Sequence, residues 1–288
     1  MKNIELTKYD FQLMSKVFNK SILVELAKFG ESHTLEKIVS ELEANVIRLD
    51  YQNLPAFFER AFHLLRQHYP NEYIYKNAIA EKIVRGRHKL SNSLYVTEFK
   101  VNNTIADVAI FNGTSTAYEI KTEFDSFQRL DSQLKTYKKA FERVYLVVPS
   151  VDVEKALKVV DGTTGLYELT DRYSLKMLRE ASTNIETFCS ETILNCLRVP
   201  EYMQIISNNF DYSPALSPSK RKQDCIELFA KLDINTLHKE YLKQIRAREY
   251  SDLEKSTFKD FPKSLTSVLL SSRLNKKLLL NLQSCIVG

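Results

Sequence analysis

The chain has 288 residues, 44% of them hydrophobic, enough for one large domain or a core with appended pieces. A net charge of +5 is mildly basic, which admits a polyanionic partner without demanding one. The four cysteines, Cys189, Cys196, Cys225 and Cys285, form no Cys-x-x-Cys pair; this excludes the common structural zinc patterns and favours reduced, buried thiols.

The opening stretch MKNIELTKYDFQ is too polar for a secretion signal, and no apolar run approaches the ~20 residues of a membrane span. The expectation is a cytoplasmic protein with no membrane association. Few glycines (6) and prolines (7) point to much helix and short loops.

Residues 1–70 read as a helical region. Phe11, Met14, Val17, Phe18, Ile22, Leu23 and Leu26 recur at helical spacing. Further helices are expected over 34–44 and over 54–68, the latter opened near Pro55. The segment reads as packing for the next domain or as a small three-helix DNA-binding unit. A helix over 71–86 ends in the basic run Arg85-Gly86-Arg87-His88-Lys89, with Gly86 as its stop. Arg85 and Arg87 suit either a helix C-terminus or a phosphate backbone.

A strand over 94–101 precedes two alternating runs, 105–111 and 116–122, that flank Asn112-Gly113, a strong hairpin signal. Asp107, Glu119 and Lys121 stand where a half-buried hairpin prefers apolar side chains. Alternation puts Glu119 and Lys121 on one face and Tyr118 and Ile120 on the other. Pairing Asp107 with Glu119 requires a three-residue loop, Asn112 to Thr114, with Gly113 free to take a positive φ. That register, or one shifted by two, is expected; a slip of one would throw Asp107 to the opposite face.

Asp125 or Ser126 then caps a helix that buries Phe127, Leu130, Leu134, Tyr137 and Phe141. The apolar run Val144 to Val148 reads as a strand buried on both faces and therefore parallel to a neighbour. A helix over 153–160 and strands over 165–169 and 173–178 complete an α/β layer. After residue 181 the chain reads as helical, with candidates over 185–197, 200–206, 224–248 and 265–282. The exposed loop before Lys220-Arg221-Lys222 carries two prolines. The domain reading is three consecutive blocks: 1–70, 71–180 and 181–288.

Two carboxylates meeting on one sheet face form an oxygen-rich site for a hard cation such as Mg²⁺ or Mn²⁺. A lysine two residues beyond the second acid would stabilise charge building on a phosphorus. The Glu-x-Lys pattern occurs twice in strand context, at Glu98 and at Glu119. Only Glu119 has an aspartate one hairpin strand earlier. Glu98 is a third carboxylate for the metal if its strand lies beside that of Asp107.

Ala106-Asp107-Val108, then Glu119-Ile120-Lys121, then a helix and a buried strand, resembles the PD-(D/E)XK nuclease superfamily over about residues 72–149. Gln133 and Tyr137 resemble the Gln-x-x-x-Tyr element of its RecB-type branch. The Tyr118–Tyr137 segment also looks like a little-studied bacterial family of such nucleases. The resemblance implies a restriction-endonuclease-like α/β fold of order α-β-β-β-α-β, a mixed sheet flanked by helices. It implies Mg²⁺ or Mn²⁺ on Asp107 and Glu119, Lys121 at the attacking water or transition state, and Gln133 and Tyr137 beside them. The chain departs from the pattern in its upstream histidine, for which His88 is the candidate. The superfamily's first-helix acid also lacks a clear match, with Glu72 and Glu81 as candidates.

The expected function is therefore metal-dependent phosphodiester hydrolysis, with DNA as the nucleic-acid partner, in bacterial or phage defence. The alternative is a non-catalytic module that grips nucleic acid or protein on the same fold. A third reading is a nuclease effector inside a larger defence or mobile-element system, in which the helices after 181 serve recognition or assembly, with a protein partner or a homo-oligomer.

Overall fold

A computed structural model describes residues 6–44, 53–87, 92–212 and 217–288, with the side chains of 43, 44 and 85–87 left outside the description. Helix α1 (Lys8–Ser15) opens on a capping box in which Thr7 and Asp10 each bond the other's backbone N–H. It is followed by α2 (Lys20–Phe29), α3 (His33–Ala44) and α4 (Leu54–His68). Pro55 sits in the first turn of α4 and Asn53 caps it, as its sequence suggests. Helix α5 (Glu72–Ile79) widens into a π-helix over Ala80–Arg87. Gly86 thus lies inside the π-turns instead of stopping the helix. His88 and Lys89 fall outside the described residues.

Strands β1 (Leu94–Val101), β2 (Thr104–Phe111) and β3 (Ser115–Ile120) form an antiparallel meander. Helix α6 (Leu130–Tyr137) leads to β4 (Arg143–Pro149), which runs parallel to β3. All of β4 after Arg143 is buried, in keeping with its unbroken apolar run. Helix α7 (Val153–Val159) and strands β5 (Gly165–Leu169) and β6 (Leu175–Arg179) complete a six-stranded sheet whose order follows the chain. The architecture is mixed α/β with helical regions at both ends, and its central elements run α-β-β-β-α-β.

Helices α8 (Ser190–Cys196) and α9 (Val199–Asn209) follow. The single helix expected over 224–248 is two, α10 (Pro218–Phe229) and α11 (Ile234–Arg246). Asp233 separates them by accepting the N–H groups of Asn235 and Thr236 as a new N-cap. An unexpected short helix, α12 (Asp252–Thr257), rests on a Ser251/Glu254 capping box. The helix expected over 265–282 is also two, α13 (Thr266–Ser272) and α14 (Lys276–Ile286), parted at Arg273 with a left-handed φ of 52°.

The chain divides into two compact units, each discontinuous in sequence. One holds residues 1–91, 169–175 and 250–288; the other holds 92–168 and 176–249. The consecutive blocks 1–70, 71–180 and 181–288 cut across this division. The reason lies in the first unit, where α14 packs on α2 and Asn281 donates to the Ala27 carbonyl at 3.1 Å. In the second unit, Phe99, Phe111 and Phe141 cluster with ring centroids 5.4–5.7 Å apart. Tyr118 and Tyr145 stack at 5.4 Å across β3 and β4. Each such buried ring stabilises the unit by roughly 1.5–3 kcal/mol.

Candidate functional site

The β2–β3 register pairs Val108 with Tyr118 and Phe111 with Ser115, so Asp107 stands opposite Glu119. The connecting loop is Asn112, Gly113 and Thr114, with Gly113 at φ 105°, as the three-residue reading requires. Both acids therefore rise from one face, away from the Tyr118–Tyr145 stack. The backbone ladder stops at Val108–Tyr118, and Asp107 takes over from it. One carboxylate oxygen of Asp107 accepts the Ile120 N–H at 2.6 Å. The acid is thereby fixed against the strand that carries its partner.

Glu119 is 1% exposed. Its Oε1 accepts from Lys121 Nζ at 2.6 Å, and its Oε2 lies 2.8 Å from the Tyr137 hydroxyl. That hydroxyl is also 2.6 Å from the Ile105 carbonyl, so its single proton is shared between two acceptors. Lys121 Nζ also donates to Gln133 Oε1 at 3.3 Å. Helix α6 thus delivers Gln133 and Tyr137, one turn apart, onto the acids presented by β2 and β3. The structure brings Asp107, Glu119, Lys121, Gln133 and Tyr137 together as the sequence reading expects.

Burial pushes the Glu119 carboxyl above its ordinary value, and the adjoining Lys121 charge only partly offsets this. Burial, followed by the charge of Glu119, pushes the Tyr137 phenol far above the ordinary value for tyrosine. Tyr137 is therefore a permanent hydrogen-bond donor at any working pH.

Other expected residues are placed differently. Glu98 lies opposite Asp107, between the pairs Thr97–Val108 and Phe99–Ala106, but its backbone is left-handed at φ 55° and its side chain is exposed. Among the described residues no three His, Cys, Asp or Glu side chains converge as a metal group, so Glu98 does not complete a third ligand in this arrangement. Arg85 and Arg87 close the π-helix of the first unit, with side chains outside the description. In that unit Glu72 pairs with Lys76 at 2.6 Å, and Glu81 pairs with Lys82 at 2.8 Å.

Asp125 and Ser126 do not cap α6. Asp125 instead accepts from Thr122 N and Thr122 Oγ1, closing a turn just beyond Lys121. Lys138 is buried and bonded to Asp161 and Thr163. Lys135 pairs with Asp131 at the surface. All four cysteines are free, with Cys196 and Cys225 buried.

The acids fit a hard divalent cation by donor type. All their oxygens are carboxylate oxygens, and each bonded oxygen of Glu119 keeps a second lone pair beyond the one its protein donor uses. Lys121 and Tyr137 already hold Glu119, so an incoming cation would share it with them.

Residues 66–267 match the family model described as "Bacteriophage P4 protein cII". The chain belongs to the bacteriophage P4 cII family. The protein named "Protein cII" of Enterobacteria phage P4 is 29% identical over 170 residues, covering 56% of this chain and 62% of that relative. The chain thus matches less than two thirds of the length of this cII relative. Asp107, Glu119, Lys121, Gln133 and Tyr137 all fall within the segment that the cII model matches. No solved structure matches the chain. No helix among the described residues is long and apolar enough to cross a membrane.

Proposed function

We propose that this member of the cII family is a divalent-cation-dependent nuclease of the PD-(D/E)XK type, hydrolysing phosphodiester bonds in DNA. The observation that carries the reading is the register of β2 and β3, which sets Asp107 opposite Glu119 with Lys121 bonded to Glu119. Mg²⁺ or Mn²⁺ held by Asp107 and Glu119 would supply an activated water and neutralise phosphate charge.

Asp107 is pre-oriented by the Ile120 N–H, so it needs no rearrangement to present its carboxylate. Lys121 spends two of its three N–H donors on Glu119 and Gln133, and its third direction suits a phosphoryl oxygen. Its positive charge offsets the negative charge that builds on phosphorus during in-line attack. Gln133 holds the lysine in place, and the Tyr137 hydroxyl holds Glu119 in position.

A non-catalytic binding module is the second reading. It draws on Glu119 already being satisfied by Lys121 and Tyr137 without any cation. The separating experiment is incubation with plasmid and single-stranded DNA in Mg²⁺ or Mn²⁺. Cleavage by wild type, lost in folded Lys121→Ala and Asp107→Asn variants, supports the nuclease. Equal trace cleavage in all three, with retained DNA binding, supports the module.

A further inference from the structure

The positive charge of the chain is unevenly placed. In the first unit Lys and Arg outnumber Asp and Glu by six. In the second unit, which holds the acid–lysine site, the acids lead by one, and together these give the net +5. The electrostatic attraction for a polyanion therefore belongs to the first unit.

One group of these cations is built around a fixed ring. Tyr173 stands in the turn between β5 and β6, and this turn belongs to the first unit. Its φ of 62° is rare for a bulky residue. The turn holds it there: Tyr173 N–H donates to the Thr170 carbonyl at 2.8 Å, and Thr170 N–H donates to the Ser174 carbonyl at 2.9 Å. The hydroxyl accepts from the buried Asn77 amide at 3.1 Å, and Phe62 meets the ring edge-on at 5.5 Å. Two cations from different helices lie over this ring, Arg66 of α4 at 5.5 Å and Lys82 of the π-helix at 5.1 Å. Arg172, next to Tyr173 in the turn, is exposed.

The two cations over the ring are answered unequally. Lys82 pairs with Glu81 at 2.8 Å. Arg66, half-buried, has no hydrogen bond or ion pair among the described residues. Asp171 is exposed beside Arg172, and Glu59 on α4 accepts the Ser264 N–H at 3.0 Å; neither pairs with Arg66. A ring face attracts the charge of a guanidinium but leaves its five N–H donors open. Those donors form a fork that matches two phosphate oxygens, and a guanidinium already held over a fixed ring loses little freedom on binding them. Cations drawn from a helix, a π-helix and a turn suit an anion that repeats along a strand.

We propose that Arg66, Lys82 and Arg172, gathered about Tyr173 in the first unit, grip the phosphate backbone of a nucleic acid. The assignment deepens the nuclease reading by naming residues that hold the backbone, and it rests on that reading only for the choice of polyanion.

The test measures binding apart from catalysis. Fluorescence anisotropy is recorded in EDTA over a series of salt concentrations, with the full chain and a labelled DNA duplex of about 20 base pairs. Arg66→Ala and Arg172→Ala are each expected to weaken binding by about 5-fold at low salt and to flatten the log–log salt dependence by about one. Lys231→Ala, which removes an exposed cation from the second unit, should change neither. Arg172 is exposed, so its alanine variant should keep the melting temperature even if loss of Arg66 loosens the ring. The assignment is overturned if wild type has no affinity for the duplex, as it would if the cluster met an acidic protein. It is equally overturned if both arginine variants bind like wild type, or if Lys231→Ala loses as much as they do. Cleavage that persists beside such a result leaves the nuclease reading standing. Salt-sensitive binding that needs Arg66 and Arg172, without cleavage, leaves the grip standing alone.

Discussion

The hydroxyl of Tyr137 lies 2.8 Å from Oε2 of Glu119, and through it α6 is fastened to the acid on β3. Glu119 has almost no contact with water, so this bond and the one from Lys121 are what make its charge tolerable. A buried acceptor deprived of its donor costs about 1–3 kcal/mol. Tyr137→Phe is therefore expected to lower stability by that amount in urea titration, with little change in the slope. Unchanged stability would mean that water replaces the hydroxyl.

The Lys121–Glu119 pair should behave as one unit. Lys121→Met leaves a buried carboxylate without its cation, and Glu119→Gln leaves a buried ammonium without its anion. Each single change is expected to cost about 3–5 kcal/mol. The double variant should cost clearly less than the sum of the two, by about 1–3 kcal/mol of coupling. Strict additivity in a double-mutant cycle would show that the pair is not coupled.

The raised Glu119 carboxyl fixes the sign of a pH effect. Its folded value exceeds the ordinary 4.5, so the native state holds the proton more tightly than the unfolded chain does. The contribution to stability is fully present below pH 4.5 and is lost as pH rises through the folded value. The stability of wild type relative to Glu119→Gln should therefore fall with rising pH across that window. A difference that rises with pH would place the folded carboxyl below its ordinary value.

Glu98 holds φ 55° within β1, a conformation that costs a residue with a Cβ about 1–2 kcal/mol and costs glycine almost nothing. Glu98→Gly is expected to raise stability by about 1 kcal/mol in thermal unfolding. A loss of stability would show that the Glu98 side chain contributes more than its backbone strain.

Much of this arrangement is legible in the amino-acid sequence alone. Period-two alternation around Asn112-Gly113 determines the face shared by Asp107 and Glu119, but it fits two registers two residues apart, and the choice between them rests on the three-residue loop with Gly113 at a positive φ. The apolar run in β4 makes that strand buried and parallel. Legibility fails where local bonds override periodicity. Asp233 and Arg273 break two helices that the apolar pattern alone would continue, because caps and left-handed residues act over single positions. Asp125 has the spacing of a helix cap, yet it closes a turn on Thr122, since the same side-chain geometry serves both purposes. The union of the terminal helices in one unit depends on long-range packing of α14 on α2, which no local pattern encodes.

The most direct measurement is an anomalous-difference map from crystals soaked in Mn²⁺. The account predicts a manganese peak within coordination distance of the carboxylates of Asp107 and Glu119, absent in the Asp107→Ala variant. A fully soaked crystal with no peak at that pair, or with manganese bound only elsewhere, would contradict it.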